Sequence, residues 1–136
     1  MKFKKSLAKV VAAVSLAFAG FVAVNTVNTQ NNTVQAASKT SQCNKVVSLA
    51  KKQVGKRYVY GATGPNAFDC SGLTSYVYSH AIGKYISRTT YSQVYQGKTV
   101  KVSTASLKKG DLLFWGSKFS PYHVGIYVGG GIVMSN

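Results

Sequence analysis

The chain has 136 residues, of which 17 are Lys or Arg, two are acidic and two are Cys. Two acids, Asp69 and Asp111, cannot build a carboxylate cage for a metal ion, and a glycosidase would need both as its catalytic pair. With 46% hydrophobic residues, the composition excludes a disordered chain and indicates a single basic globular domain.

The first 36 residues have the pattern of a secretory signal peptide. Four lysines precede and adjoin an uncharged apolar stretch over residues 10–24, and Val34 and Ala36 stand at −3 and −1 of a cleavage site. A membrane-spanning helix needs about 20 apolar residues, so this stretch is too short for an anchor. We expect cleavage after Ala36 and a secreted protein, extracellular or associated with the cell wall, without a stable membrane anchor.

The charge of the remaining chain points to anionic partners. Removing the signal leaves 13 basic residues against two acids. Nucleic acid is the usual partner of such a charge, but export argues against it, and no nucleic-acid partner is expected. Anionic cell-wall polymers are the expected partners. The alternative is that the lysines only keep a secreted protein soluble.

The first half of the exported chain is expected to be helical. Residues 37–44 are polar and are expected to form a flexible tail. Apolar residues at helical spacing predict one helix over residues 44–54 and a second over residues 70–81, which Gly83 ends. Between them, residues 58–61 form a short extended piece and a turn-rich loop follows.

The second half changes to strand patterns. Residues 88–96 predict a short third helix, and residues 100–102 predict a weak strand. Three stronger strands are predicted over residues 112–115, 123–128 and 132–134, separated by glycines. Helices followed by strands predict an α+β fold with an antiparallel sheet.

Cys70 is the candidate nucleophile. It stands at the opening turn of the second predicted helix, where the helix N-terminus and a nearby imidazole would lower the pKa of its thiol. Cys43 lies in the polar start of the exported chain. The alternative is a Cys43–Cys70 disulfide, which an exported protein could form and which would abolish this chemistry.

Of the two histidines, only one is expected to reach this thiol. His80 lies ten residues along the same helix, about 15 Å away at 1.5 Å per residue. His123 begins a predicted strand in which Val124, Ile126 and Val128 face the core, so His123 lies on the opposite face. A base at the start of this strand could meet the helix that carries Cys70.

Four segments carry a family resemblance: GKRYVYGATGPNAFDCSGLTSYVY, SRTTYSQ, GDLLFW and HVGIYVGGG. In this order, from Val46 to the C-terminus, they closely resemble the NlpC-type family of bacterial cell-wall cysteine peptidases. The resemblance implies a papain-like fold, with N-terminal helices packed on an antiparallel sheet, and no cofactor or metal. It implies hydrolysis of peptidoglycan stem peptides, typically between the γ-carboxyl of D-glutamate and the diamino acid.

The same resemblance assigns residues to roles. Cys70 matches the nucleophile and His123 the general base. The substrate-binding positions are Tyr58, Asp69, Ser71 and Arg88. The first three of these match residues that typically recognise the free amine of the stem's L-alanine, although Asp69 also suits a helix N-cap. Arg88 and Gln93 resemble a motif at the edge of the site or are surface helix residues. Asp111 is expected to bind turn amides rather than do chemistry.

The third catalytic member is where this chain departs from the family pattern. The family places a His, Asn or Gln about twelve residues after the base, where this chain has Ser135, with Asn136 next. Asn136 is favoured as the orienter if the glycine turn before it absorbs one residue. There are two alternatives. Ser135 could orient the imidazole less effectively, or the domain over residues 45–136 could be incomplete at its C-terminal strands. Two functions follow: an active endopeptidase, or a truncated, non-catalytic, cationic wall-binding protein.

Overall fold

The structure, a computed structural model, describes residues 2–4, 10–15 and 29–136. These residues form three helices and eight strands, which confirms the expected α+β class. The helices are α1 (Thr29–Lys52), α2 (Cys70–Ile82) and α3 (Thr90–Gln93). The strands are β1 (Lys2–Lys4), β2 (Val10–Ser15), β3 (Arg57–Tyr58), β4 (Ala67–Phe68), β5 (Lys98–Val100), β6 (Leu112–Ser117), β7 (Ser120–Gly129) and β8 (Ile132–Ser135). Within these stretches, no helix is long and apolar enough to cross a membrane.

Helix α1 begins well before the apolar periodicity that predicted it. Residues 37–44, expected as a flexible tail, are helical. The physical reason is Cys43, which is buried on the same helical face as Val46, Val47 and Ala50. The apolar stripe therefore continues one turn further towards the N-terminus than the aliphatic residues alone indicate.

Parts of the predicted signal peptide contribute strands to the main sheet. β2 lies between β6 and β5 and is antiparallel to both, and β1 pairs with β8. Val14 of β2 is buried in the main core. The rest of the predicted signal, residues 1, 5–9 and 16–28, lies outside the described residues, and the predicted cleavage after Ala36 falls within α1. Cleavage remains a prediction, and it would remove two strands from this sheet.

Helix α2 has the boundaries that its sequence predicts, because both ends are capped. Asp69 precedes the first turn in an extended conformation, and its side chain accepts a hydrogen bond from the Gly72 N–H. Gly83 ends the helix with φ of 66°, the left-handed conformation that glycine adopts without a steric penalty. Cys70 is thereby fixed as the first residue of α2.

The main sheet is antiparallel at every strand pair, in the order β1-β8-β7-β6-β2-β5. Its helix-facing side carries Val124, Ile126 and Val128, all buried as the alternation of β7 predicts. The opposite side is covered by a second apolar cluster that includes Trp115, Tyr127, Leu113, Val133 and Leu107. The sheet is therefore buried on both faces over its centre, and the first of these faces receives α1 and α2.

Candidate active site

The thiol of Cys70 lies where the start of α2 meets β7. Cys70 is half-buried, and the backbone N–H of Val124, in the middle of β7, lies close enough to the thiol to act on its pKa. Cys43 is buried in α1, and both cysteines are free thiols. The disulfide between them, considered as an alternative, is not formed.

The pKa of the Cys70 thiol is raised above its ordinary value. Burial is the largest cause, and the negative charge of Asp69 acts in the same direction. The N–H groups of Val124, Ser71 and Cys70 itself oppose this shift but do not outweigh it. The sequence predicted a lowered pKa from the helix N-terminus. The loss of solvent around the thiol is instead the largest cause, and it raises the pKa.

His123 is the imidazole at this junction. It directly precedes Val124, whose N–H contacts the thiol, and it pairs across the sheet with Trp115. The rings of His123 and Trp115 are tilted against each other with centroids 5.3 Å apart. The indole thus packs against the imidazole and restricts its orientation.

His80 is placed at the other end of α2, as its spacing predicts. It is exposed, its Nδ1 lies 2.9 Å from the carbonyl oxygen of Tyr76, and its ring stacks on that of Tyr76 at 4.0 Å. These contacts cover the helix surface one turn back and account for this histidine without any catalytic role.

The register of β8 decides which C-terminal residue shares a face with His123. β7 pairs with β8 through Ile126 with Met134, so Gly125 stands opposite Ser135. A Cβ built on Gly125 would lie 3.2 Å from the Cβ of Ser135. Residues two apart on a strand share a face, so Ser135 lies on the face of His123. Its hydroxyl is buried and has no hydrogen-bond partner among the described residues.

Asn136, favoured by the sequence argument, makes different contacts. Its side-chain nitrogen donates to the carbonyl oxygens of Phe68 at 2.8 Å and of Arg57 at 3.1 Å. These bonds join the end of β8 to the small β3–β4 pair that leads into Cys70. The one-residue shift that would have turned Asn136 towards His123 does not occur in this register.

Asp69 and Arg88 form an ion pair beside Cys70. Arg88 donates from Nη1 to Oδ1 at 3.0 Å and from Nη2 to Oδ2 at 2.7 Å, and Nη1 also donates to the Ser71 hydroxyl at 2.8 Å. The backbone N–H groups of Gly61 and Gly72 donate to the same carboxylate at 2.9 and 2.7 Å. Burial alone would raise the pKa of Asp69, but these hydrogen bonds outweigh it and lower the pKa below its usual range.

This ion pair changes how Asp69 can act on a substrate. Its charge is balanced by Arg88, whose own pKa is raised by the same contact. The carboxylate already accepts hydrogen bonds from two backbone amides and the guanidinium. An ammonium group would therefore meet a shared Asp69–Arg88–Ser71 cluster rather than an isolated carboxylate.

The loop before α2 crosses closely over the first turn of the helix. The Asp69 N–H donates to the carbonyl oxygen of Ala62 at 2.9 Å. A Cβ on Gly72 would collide with this same oxygen, so only glycine allows the approach. Tyr58 lies in this region, and its pKa is raised by burial and then by the charges of Cys70 and Asp69. Tyr58, Asp69 and Cys70 are thus brought to one place.

Gln93 is the residue whose role the sequence did not identify. It was expected at the edge of the site or on the surface, and it is fully buried. Its Nε2 donates to the carbonyl oxygens of Ser87 at 2.7 Å and Ser71 at 3.1 Å, and its Oε1 accepts from Thr74 Oγ1 at 2.8 Å. Gln93 therefore joins the first turn of α2 to the residue before Arg88. In the sequence, only the position of this glutamine in a short polar helix could have indicated such a buried role.

Asp111 has the structural role expected of it. Its carboxylate accepts from the N–H of Lys108 at 2.9 Å, which closes the turn before β6. A hydrogen bond from Ser15 of β2 adds to this contact, while burial raises the pKa of the carboxyl. Across the described residues, no three His, Cys, Asp or Glu side chains come together as a metal site.

Comparison with known proteins decides the family. The NlpC/P60 family model matches residues 55–136, which include every residue of the Cys70–His123 junction. The chain belongs to the NlpC/P60 family. The α+β, papain-like fold expected from the resemblance is thereby confirmed.

Individual relatives agree with this assignment. A probable endopeptidase of Corynebacterium glutamicum is 47% identical over 100 residues, which cover 74% of this chain and 46% of the relative. The probable endopeptidase p60 of Listeria grayi is 42% identical over 106 residues, covering 78% of this chain and 20% of that protein. The chain thus spans less than half the length of these relatives.

A solved structure of the same family has the same architecture. The crystal structure of the NlpC/p60 domain of the peptidoglycan hydrolase SagA is 44% identical to this chain. It superimposes with a TM-score of 0.63, covering 67% of this chain and 76% of that domain.

Proposed function

We propose that this protein is a secreted cysteine endopeptidase that hydrolyses peptidoglycan stem peptides, with Cys70 as nucleophile and His123 as general base. The observation that carries the proposal is the position of the Cys70 thiol, which lies close to the backbone N–H of Val124, the residue directly after His123. Membership of the NlpC/P60 family, whose relatives here are named probable endopeptidases, supports the reaction class.

The reaction begins at the Cys70 thiol. Its proton passes to His123 as the sulfur attacks the amide carbonyl. The tetrahedral intermediate collapses when the imidazolium gives this proton to the leaving amine, which departs and leaves a thioester on Cys70. Water, deprotonated by His123, then attacks the thioester, and the thiol and the free acid are restored.

The substrate side of the site is assigned to the cluster around Asp69. Tyr58, Asp69, Ser71 and Arg88 would bind the N-terminal amine of the stem, and the scissile bond would join the γ-carboxyl of D-glutamate to the diamino acid. The proximity of Asp69 to Cys70 supports this assignment, because both residues occupy the start of α2. The tyrosine hydroxyl and the serine hydroxyl can accept hydrogen bonds from an ammonium group, which Asp69 attracts despite its pairing with Arg88.

The location follows from the N-terminal sequence and the charge. The Lys-rich start, apolar stretch and Val34-Gln35-Ala36 site support export, and 13 basic residues against two acids support retention on anionic wall polymers. Since wall attachment by charge is screened by salt, release of the protein from cell walls by about 1 M salt would support it.

A second function is favoured by one observation, the buried Ser135 hydroxyl. It has no hydrogen-bond partner among the described residues, and a serine is short for holding an imidazole. If Ser135 does not hold the His123 imidazole in the position that catalysis needs, the chain would bind the wall through its charge without hydrolysing it. This is the alternative against which the peptidase is tested.

The deciding experiment is digestion of purified sacculi by the wild-type chain and by Cys70→Ala, with mass spectrometry of the released fragments. The peptidase predicts fragments cut within the stem peptide by the wild type and none from the variant. Binding of both proteins to sacculi without any fragment from either would establish the wall-binding alternative. Cuts at the sugar–peptide link would assign the amide bond differently.

A further inference from the structure

A group of large aromatic side chains is exposed on α3, directly after α3 and on the β6–β7 hairpin. Tyr91 and Tyr95 are 57% and 56% exposed, and Phe119 and Tyr122 are 84% and 68% exposed. These four residues are here called the aromatic platform. Exposed aromatic area grouped in this way is uncommon on a protein surface and marks a binding site more often than chance.

The two elements that carry the platform are tied together. Thr90 Oγ1, at the start of α3, donates to the carbonyl oxygen of Pro121 in β7 at 3.0 Å. At the hairpin turn, the Lys118 ammonium lies 5.2 Å from the centre of the Tyr95 ring, a cation–π contact. The segment that carries Tyr91 and Tyr95 and the hairpin that carries Phe119 and Tyr122 are thus in direct contact.

This surface adjoins the candidate active site. Tyr122 lies two residues before Val124, whose N–H contacts the Cys70 thiol. Two residues of a strand span about 7 Å. Alternation along β7 is interrupted at Tyr122, because Trp115 pairs with His123 and Gly116 pairs with Pro121, so that Tyr122 is the extra residue of a β-bulge and its side chain is exposed. A substrate bound at Cys70 and longer than a few residues would therefore extend over the platform.

We propose that the aromatic platform binds the glycan strand to which the stem peptide is attached. The inference rests on the proposed function, because a stem peptide held at Cys70 brings its covalently linked sugars to the neighbouring surface. The ring faces of amino sugars consist of C–H groups, which stack on aromatic faces, and their hydroxyl and acetamido edges accept hydrogen bonds from Tyr hydroxyls. The ammonium of Lys118 adds a donor beside Tyr95 for the same polar edges.

The test compares two substrates that differ only in the sugars. One is the free stem peptide, and the other is the same peptide attached to its disaccharide. The double variant Tyr91→Ser/Phe119→Ser removes two platform rings that lie apart from the catalytic pair. We expect its kcat/KM to fall about tenfold on the disaccharide–peptide, through loss of two stacking contacts, and less than twofold on the free peptide. Tyr85→Ser is the matched control, because Tyr85 is 86% exposed but lies in the segment that follows α2.

Binding provides a readout that does not depend on hydrolysis. Peptide-free glycan strands, prepared by stripping the stem peptides from sacculi, should bind the wild type and the Tyr85→Ser variant, and bind the double variant about tenfold more weakly. Equal losses on both substrates, or unchanged kcat/KM on the disaccharide–peptide, would overturn the inference. A concentration-dependent dimer that the double variant abolishes would also overturn it, by assigning the surface to a second copy. Absence of peptide hydrolysis with glycan binding intact would contradict the proposed function and would still support glycan binding by the aromatic platform.

Discussion

The guanidinium of Arg88 donates two hydrogen bonds, of 3.0 and 2.7 Å, to the carboxylate of Asp69, the residue directly before the proposed nucleophile Cys70. The pair joins the segment before α3 to the N-cap of α2, 19 residues apart in the chain. Because the guanidinium also donates to Ser71, it holds three of the residues assigned to substrate binding in one arrangement. The first prediction follows from this contact.

Arg88→Ala is expected to lower kcat/KM on a free-amine stem peptide by about tenfold or more, because the cluster proposed to bind the amine loses its geometry. Arg88→Lys should recover only part of the rate, since a lysine cannot make the two parallel hydrogen bonds. The measurement is steady-state kinetics of both variants against the wild type. Full recovery of kcat/KM by lysine would show that the positive charge alone, and not the pair of parallel hydrogen bonds, is needed for activity.

The same pair predicts how stability responds to acid. The folded-state pKa of Asp69 is depressed, so its contribution is present above the unfolded-state pKa of about 3.9 and is lost as pH falls through the folded-state value. The difference in unfolding free energy between wild type and Arg88→Ala should therefore be largest near neutral pH and shrink below about pH 4. Urea unfolding at several pH values measures it. A difference that grows in acid would contradict the sign of the pKa shift.

The two histidines provide a matched pair of variants. His123→Ala should reduce hydrolysis to background, because no other imidazole among the described residues adjoins the Cys70 thiol. His80→Ala should leave the rate within a few-fold, since His80 contacts only its own helix in the bonds described. Hydrolysis rates with circular dichroism as the folding control test both. Equal losses without unfolding would contradict the placement of the base.

The pKa of the Cys70 thiol is expected to lie above its ordinary value, since burial disfavours the thiolate. In a Cys43→Ala background, where Cys70 is the only remaining thiol, the rate of alkylation by iodoacetamide should still be rising at about pH 9. Removing the charge with Asp69→Asn should move the profile to lower pH, because Asp69 raises the thiol pKa. A plateau reached below about pH 7 in the parent would instead indicate a resting thiolate.

Ser135 and Asn136 are expected to respond differently to substitution. Ser135→Ala should keep the rate, because the hydroxyl has no partner among the described residues, whereas Ser135→Asn should raise kcat/KM by placing an amide on the face of His123. Asn136→Ala should cost about 1–2 kcal/mol of stability by leaving the carbonyls of Phe68 and Arg57 without this donor. Kinetics and urea unfolding of the three variants separate the roles. A large loss of rate in Ser135→Ala would identify the serine as the orienter.

Removal of the predicted signal should be visible in both sequence and stability. Material from culture supernatant or wall extract is expected to begin at or near Ala37. The form that begins there should unfold at a lower temperature than the full chain, because it lacks Val14 in the core and the strand between β6 and β5. N-terminal sequencing and a thermal melt of the two forms are the measurements. Equal melting temperatures would show that β2 contributes nothing to the stability of the folded chain.

Local sequence was sufficient for those parts of the site that depend on spacing and caps. Asp69 and Gly83 mark the two ends of α2, and this places Cys70 at its first turn. The alternation of β7 assigned Val124 to the core, and helical rise excluded His80. These features follow from the repeat of a helix or a strand, which a chain carries in its own residue order.

Only the tertiary structure decided the features that depend on distant neighbours. The hydrogen bonds between Arg88 and Asp69, and those of the buried Gln93, join segments about 20 residues apart. No local pattern specifies which polar groups will meet there. The register of β8 on β7 decided which side of the sheet Ser135 occupies. A slip of one residue would have placed Asn136, instead of Ser135, on the side of His123. The direction of the Cys70 pKa was decided by desolvation, which depends on how much of the folded chain surrounds the thiol.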